Sequence, residues 1–183
     1  MLKFFLFLLV SLTAHAGVTF SPVSGFASPE QVKIIEQAGK KVNEVVASKC
    51  FADWMNKQSV MNETNGKSKE QVIAHLIGMN DTVPVKMYFR KYGKKSIFCP
   101  LCTSAVAYRE PPHKVINLNA SFFTRKTSVC RWAATMAHEG LAHALGNYGH
   151  SFDWTRSRED TVAYLLSGRK SQYGGDVFVA CCR

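Results

Sequence analysis

A short stretch near the C-terminal end, residues 138–150, constrains the fold of this chain more than any other feature. It contains three of the six histidines of the chain and a glutamate, Glu139, within thirteen residues. The surrounding Ala, Leu, Met and Gly residues predict a helix that is capped by Thr127 or Ser128 and ends at Gly146. Such an apolar helix is expected to be buried, and burying imidazoles and a carboxylate is costly unless a metal or polar partners satisfy them.

The first two of these histidines, His138 and His143, are five residues apart. On a regular α-helix five residues leave two side chains about 140° apart, so they cannot bind one ion. A π-helical turn, closed by an i→i+5 hydrogen bond, takes up the extra residue and places both side chains on one side. The small residues Gly140 and Ala142 make such a turn easier to accommodate. The spacing therefore predicts a π-bulge between the two histidines. The alternatives are a polar network without metal, or an amphipathic helix that carries its histidines by chance.

The segment 138–143 reads His-Glu-Gly-Leu-Ala-His and resembles the His-Glu-x-x-His motif of the zincin metallopeptidases, with one additional residue. The six-residue form is similar to the His-Glu-Leu-Leu-Gly-His of the dipeptidyl peptidase III family. A predicted strand before the helix and a glycine turn after it add to the resemblance. The resemblance implies a zincin-like fold, a zinc ion (Zn2+) bound by His138 and His143, and Glu139 as the general base that takes a proton from the water on the metal.

The sequence offers three candidates for the third zinc ligand. His150 resembles the third histidine of the metzincins, although it lies seven rather than six residues past the second histidine, and the metzincin Met-turn is absent. Glu159, on a helix predicted to begin at a Ser157 cap, resembles the ligand of the gluzincins. Asp153 resembles the later aspartate of the aspzincins. His150 and Glu159 are the two main rivals for this position.

Two further expectations come from the zincin resemblance. A tyrosine near the metal can stabilise the oxyanion, and the candidates are Tyr148, Tyr164 and Tyr173. The strand predicted over residues 115–119, if it lies at the edge of the sheet, would align an extended peptide by backbone hydrogen bonds. Asn117 and Asn119 alternate with apolar residues in that strand, which predicts one exposed face.

The remaining pattern predicts an α+β fold with a small, mostly antiparallel sheet. Helices are expected from Ser28-Pro29 toward Trp54 and from Ser68 through Ile77, where Ser or Pro signals mark the starts. Strand candidates then follow, and after the motif helix a last helix is expected. The strand candidates are residues 85–89, 96–98, 104–108 and 115–119; the last helix is 158–166, and an extended tail is predicted from 172 to 183.

The N-terminus has the pattern of a cleavable signal peptide over residues 1–16. A lysine at position 3, an apolar run and the small residues Ala14 and Ala16 predict cleavage after Ala16. Residues 17–183 would then form a single domain, expected to be monomeric and to lack a transmembrane segment. The sequence thus predicts a secreted or periplasmic protein.

The six cysteines all follow the predicted leader, and export favours up to three disulfides that hold the C-terminus to the body of the protein. A bridge between the adjacent Cys181 and Cys182 is excluded because it would be strained. The other pairings stay open. The alternative is a zinc ribbon in which Cys99 and Cys102 join Cys181 and Cys182.

The formal net charge of +10 favours anionic surroundings such as envelope polymers. The basic stretch 91–95 is better explained as a solvated hairpin turn than as a nucleic-acid loop, so nucleic acid is not an expected partner. The sequence favours an exported zinc metallopeptidase that acts on peptides or proteins. The alternatives are a hydrolase of peptidoglycan peptides that uses the same zinc site, and a non-catalytic exported binding or structural protein.

Overall fold

The computed structural model describes seven segments of the chain: residues 17–26, 28–88, 107–110, 114–120, 128–149, 161–167 and 176–183. For residues 107–110 only the backbone is described. They contain four strands, β1 to β4, at Thr19–Ser24, Thr82–Tyr88, Ala107–Glu110 and Val115–Asn119. They also contain six α-helices, α1 to α6, at Pro29–Val46, Lys49–Asn56, Lys69–Gly78, Val129–Met136, Val162–Leu166 and Val177–Cys181. One π-helix, Ala137–Leu145, follows α4 without a break.

The four strands form one sheet in the order β1-β2-β4-β3, in which β1, β2 and β4 are parallel and β3 is antiparallel to β4. The α+β class is confirmed, but the prediction of a mostly antiparallel sheet is wrong. The sequence analysis did not predict β1, which precedes α1, α2 and α3. Parallel strands need a crossover of a dozen or more residues, and these three helices supply one between β1 and β2.

The strand that precedes the motif helix, β4, lies inside the sheet and not at its edge. It pairs with β2 on one side and with β3 on the other, so β3 is an outermost strand of the described sheet. Asn117 is only 5% exposed and Asn119 is fully buried. The prediction that β4 is an edge strand with one exposed face is therefore wrong.

The core lies between the sheet and the helices that cover it. The apolar side chains of β2 and β4 are buried at alternating positions: Val83, Val85, Met87, Ile116 and Leu118. The π-helix contacts β2, β3 and β4, while α1 contacts β1 and packs against α4. This arrangement places the motif helix directly against the sheet.

The first helices begin at the predicted caps. The Ser28 hydroxyl accepts a hydrogen bond from the backbone N–H of Gln31, and Ser68 and Gln71 form a reciprocal capping box at the start of α3. The predicted helix toward Trp54 is two helices. α1 ends at Val46, and Ser48 caps the start of α2. The Ser48 hydroxyl donates to the carbonyl of Val45 and accepts from the N–H of Phe51.

The C-terminal part differs from the sequence prediction in two places. α5 begins at Val162, capped by the side chain of Thr161, rather than at residue 158. Thr161 is buried and forms an isolated parallel bridge with Asn62, which fixes the chain just before the helix. The predicted extended tail contains a helix, α6, which Asp176 caps by accepting a hydrogen bond from the Val179 N–H. The predicted strand at residues 96–98 lies outside the described residues.

Two disulfides, Cys50–Cys181 and Cys130–Cys182, tie α2 and α4 to α6 and the residue that follows it. This confirms that disulfides hold the C-terminus to the body of the protein. The alternative zinc ribbon is wrong, because the sulfurs of Cys181 and Cys182 are used in these bonds. Cys99 and Cys102 lie outside the described residues, as does the predicted signal peptide.

The described helices include none that is both long enough and apolar enough to span a membrane.

Candidate metal centre

The helix that carries the motif begins as a regular α-helix and continues as a π-helix. Ser128 caps α4 by accepting a hydrogen bond from the Arg131 N–H at 3.2 Å, as predicted. The π-helix covers nine residues, Ala137–Leu145, and is therefore longer than the single bulge expected from the spacing. At its end the Gly146 N–H donates to the Leu141 carbonyl at 2.8 Å, which is an i→i+5 bond. The predicted π-helical geometry is thus confirmed.

The wider turn brings His138 and His143 together. Their Nε2 atoms are 3.3 Å apart, the ring centroids are 4.9 Å apart, and the ring planes meet at 77°. Both side chains are half-buried. The two histidines therefore present the same nitrogen, Nε2, to one point beside the helix.

The opposite nitrogen of each ring faces a backbone carbonyl. The Nδ1 of His138 is 3.0 Å from the carbonyl oxygen of Ser167, and the Nδ1 of His143 is 2.6 Å from that of Tyr148. Because a carbonyl only accepts, each Nδ1 carries the proton and donates it. Each neutral ring consequently has its lone pair on Nε2, which is the tautomer that binds a metal.

The distance between the two Nε2 atoms fits a tetrahedral zinc ion. Two nitrogens bound to one such ion at about 2.0–2.1 Å lie about 3.3 Å apart, which is the separation seen between His138 and His143. Two lone pairs at this distance repel each other unless a cation lies between them, either a metal ion or a shared proton. Imidazole is a good ligand for zinc, so these two residues fit the metal that the motif predicts.

Glu139 follows the first histidine directly and is half-buried. It lines the same cavity as His138, with a volume of about 720 Å³. Glu139 therefore belongs to the same open site as His138. Its role as the general base stays a prediction.

Of the three candidate tyrosines, Tyr164 on α5 lies beside the histidines. Its ring meets that of His138 edge-on, with centroids 5.4 Å apart and planes at 82°, and it lines the cavity. Tyr148 is only 1% exposed, and its hydroxyl forms a 2.7 Å hydrogen bond with the Nδ1 of His75. Burial raises the pKa of Tyr148 above its ordinary value. Tyr148 therefore positions His143 through its carbonyl, while Tyr173 lies outside the described residues.

His75, on α3, is a hydrogen-bonded histidine of the core periphery and not a metal ligand in the described site. Burial is the main cause that lowers its pKa below the ordinary value, and the positive charge of Lys67 lowers it further. Its Nδ1 is hydrogen-bonded to the Tyr148 hydroxyl. Through Tyr148 it supports the residue whose carbonyl holds His143.

The turn after the π-helix is held from a distant part of the chain. The side-chain amide of Asn65 donates to the carbonyl of Asn147 at 2.9 Å and lies 3.4 Å from that of Gly146. Asn147 has φ of 51°, a left-handed conformation that asparagine tolerates better than most residues. The sequence pattern did not predict this contact. It also missed the carbonyls of Ser167 and Tyr148, because backbone acceptors leave no mark in the side-chain pattern.

The structure brings together His138, Glu139 and His143 of the predicted site. The rival third ligands, His150 and Glu159, lie outside the described residues, as does Asp153. Within the segments that the structure describes, no group of three or more His, Cys, Asp or Glu residues is placed to hold a metal. The described part of the site is thus a two-histidine pair with an adjacent carboxylate.

No protein-family model, curated protein or solved structure matches this chain.

Proposed function

We propose that this chain is an exported, zinc-dependent metallopeptidase with a zincin-like fold. One observation carries the proposal: the Nε2 atoms of His138 and His143 are 3.3 Å apart, and each Nδ1 is held by a backbone carbonyl. A nine-residue π-helix brings them together. π-Helical turns are rare and frequently occur at functional sites, which supports a functional role for this pair.

In this proposal His138 and His143 bind zinc, together with a third ligand that is His150 or Glu159. A bound zinc supplies a Lewis acid that polarises the substrate carbonyl and lowers the pKa of water. Glu139 accepts a proton from the attacking water and returns it to the leaving amine. Tyr164, whose ring packs against His138, is the described tyrosine best placed to donate a hydrogen bond to the oxygen on which charge develops.

The sheet supports a peptide as the substrate. β3 is an outermost strand of the described sheet, runs antiparallel to β4 and contacts the π-helix. An extended peptide can pair with such an edge by main-chain hydrogen bonds. In this proposal β3 takes the substrate-aligning role that was predicted for β4.

The covalent structure supports a secreted or periplasmic location. Two disulfides close loops across the fold, and disulfides persist mainly in oxidising compartments. Together with the signal pattern of residues 1–16, they favour export and cleavage after Ala16.

The variant Glu139→Gln tests the proposal. It removes the base without changing the shape of the side chain, so we expect hydrolysis of casein to fall by at least about a hundredfold while zinc stays bound. The matched control is Glu36→Gln, which changes an exposed glutamate on α1. It should leave casein hydrolysis and zinc binding unchanged. Activity that survives in Glu139→Gln would contradict the assigned role.

Purified cell-wall material, assayed in parallel with casein, tests the alternative substrate. Cleavage of wall peptides without cleavage of casein would identify a peptidoglycan hydrolase that uses the same site. Zinc binding without hydrolysis of either substrate would favour a binding protein instead.

A further inference from the structure

The cavity at the candidate metal centre is a groove that follows one face of α4. Four of its lining residues, Ser128, Arg131, Thr135 and His138, are spaced by three or four residues and so lie along one face of the continuous helix. α6 and the Cys130–Cys182 disulfide form the opposite wall. The groove therefore leads from the metal-binding histidine toward the N-terminal end of α4.

The residues at the inner end of the groove indicate which part of a substrate enters it. Of the two paired histidines only His138 lines the groove, and it does so together with Glu139. In the proposed reaction Glu139 returns a proton to the leaving amine. The groove thus receives the residues that follow the cleaved bond, in the direction of the C-terminus of the substrate.

Distance along the helix shows how many residues the groove holds. Arg131 precedes His138 by seven residues, which corresponds to about 10 Å at the rise of a helix. An extended peptide advances about 3.3 Å per residue. Allowing for the length of the arginine side chain, its guanidinium reaches the second or third residue after the cleaved bond.

Among the described residues that line the groove, Arg131 is the one cationic side chain. It is exposed, and none of the ion pairs among the described residues includes it. Asp176, an acidic residue of the same groove, is 7% exposed and accepts a hydrogen bond from the Val179 N–H as the cap of α6. A guanidinium presents two parallel N–H groups that match a carboxylate.

The α6 wall of the groove carries two apolar side chains, Phe178 and Val179. Phe178 is buried, and Val179 is 69% exposed, which is high for a valine next to a cavity. These side chains, with Ala134 on α4, suit an apolar residue between the cleaved bond and the position that Arg131 reaches.

We infer that this groove selects peptides that carry a carboxylate at the second or third residue after the cleaved bond, with Arg131 as the residue that binds it. The carboxylate is either the C-terminal carboxylate of a short leaving fragment or the side chain of Asp or Glu. This specificity rests on the proposed peptidase activity and adds the class of substrate to it.

The first part of the test maps cleavage sites by mass spectrometry in two pools of synthetic peptides. The pools have the same mixed sequences, but one has free C-termini and the other has amidated C-termini. We expect cleaved bonds to be followed by a carboxylate at the second or third residue in either pool. Enrichment confined to the free pool identifies the C-terminal carboxylate, and enrichment of Asp or Glu in the amidated pool identifies the side chain.

The second part compares the best peptide with a counterpart in which that carboxylate is replaced by an amide. The wild type is expected to have a kcat/KM roughly tenfold higher for the carboxylate, as one charge-assisted hydrogen bond supplies. Arg131→Gln should remove this preference and Arg131→Lys should restore part of it. Lys33→Gln, which removes an exposed cation from α1, serves as the control and should keep the full preference.

Zinc content, measured on every variant, separates the possible failures. A wild type that cleaves peptides without any preference for the carboxylate, or an Arg131→Gln variant that keeps the preference, overturns the carboxylate inference alone. A zinc-loaded wild type that cleaves no peptide in either pool overturns the proposed peptidase activity, and the inference with it.

Discussion

α4 and the π-helix are consecutive parts of one helix, but they are held in different ways. α4 closes with hydrogen bonds of ordinary α type, such as that from the Ala137 N–H to the Ala133 carbonyl, and a disulfide at Cys130 anchors it to the residue that follows α6. The π-helix closes with wider turns and contains no cysteine. Phe20 lies against Gly140, the carbonyls of Ser167 and Tyr148 bind its two histidines, and Asn65 holds the turn that follows it.

The difference shows what each half contributes to the site. The regular spacing of α4 aligns residues three and four apart, which produces the groove. The wider turns of the π-helix align His138 and His143, which are five apart. Because a π-helix is less favourable than an α-helix, its persistence depends on the contacts around it. The three predictions that follow test this division.

The largest effect is expected from removing the disulfide that anchors α4. Cys130 and Cys182 are 52 residues apart, and the chain entropy released by opening a loop of that size corresponds to about 4 kcal/mol of stability. We expect the double variant Cys130→Ala/Cys182→Ala to lose that much in a denaturant titration. Zinc affinity of the folded protein should stay near the wild-type value, because the carbonyls that orient the histidines do not depend on this bond.

The double variant Cys50→Ala/Cys181→Ala is the control for loop closure. This disulfide spans 131 residues and does not touch α4, so we expect a similar or slightly larger loss of stability. A loss of zinc affinity on opening Cys130–Cys182, with none on opening Cys50–Cys181, would show that the disulfide on α4 also maintains the metal site.

A smaller effect is expected where β1 supports the π-helix. A Cβ added to Gly140 would lie 2.6 Å from the Phe20 ring, and a Cβ added to Gly39 of α1 would lie 3.2 Å from the same ring. Overpacking of this kind costs about 1–3 kcal/mol and outweighs the gain of up to about 1 kcal/mol in helix propensity. We expect Gly140→Ala to lower Tm by about 3–6 °C and to weaken zinc binding.

Gly78→Ala is the matched control, because a Cβ at this last residue of α3 meets nothing within 4 Å. It should leave Tm unchanged or raise it slightly. The double variant Gly140→Ala/Phe20→Leu should recover part of the loss, since it removes the ring that clashes. A Gly140→Ala variant as stable as Gly78→Ala would refute this account of the π-helix.

The smallest effect is a dependence of stability on pH through His75. Its pKa is lower in the folded protein than its ordinary value of 6.5, so the folded state binds this proton more weakly than the unfolded chain does. The stabilisation from neutral His75 is therefore complete above about pH 6.5 and is lost as the pH falls below it.

Unfolding in urea at about pH 7 and about pH 5 measures this loss. The wild type without metal should lose more stability between the two values than His75→Gln does. The other histidines titrate in both proteins, so the comparison isolates His75. An equal loss in the two proteins would contradict a lowered pKa of His75 in the folded protein.

The sequence predicted the starts of α1, α3 and α4 because capping is local chemistry. Ser28, Ser48, Ser68 and Ser128 each accept a hydrogen bond from an N–H three residues ahead. The spacing of the two histidines also predicted the π-helix, because residues that are five apart lie on one side of a helix only when the turn widens. Ser48 was missed as a cap because apolar spacing continues across it.

The sheet was harder to predict because pairing is not local. β1 contains Pro22 and shows little alternation, so nothing in its pattern indicates a strand, yet it pairs in parallel with β2. Without β1, closely spaced strand candidates after residue 82 suggested hairpins. The acceptors for the two Nδ1 protons were equally hidden, because they are backbone carbonyls that lie after the motif, one of them 29 residues beyond its histidine.

The most direct test of the central claim is the zinc content of residues 17–183, determined by elemental analysis after exhaustive dialysis without chelator. We predict about one zinc ion per chain, lost in His143→Ala and retained in His75→Ala, which removes a half-buried histidine on α3. A wild type that takes up no zinc, or a His143→Ala variant that keeps it, would contradict the assignment of the two histidines as ligands of one metal ion.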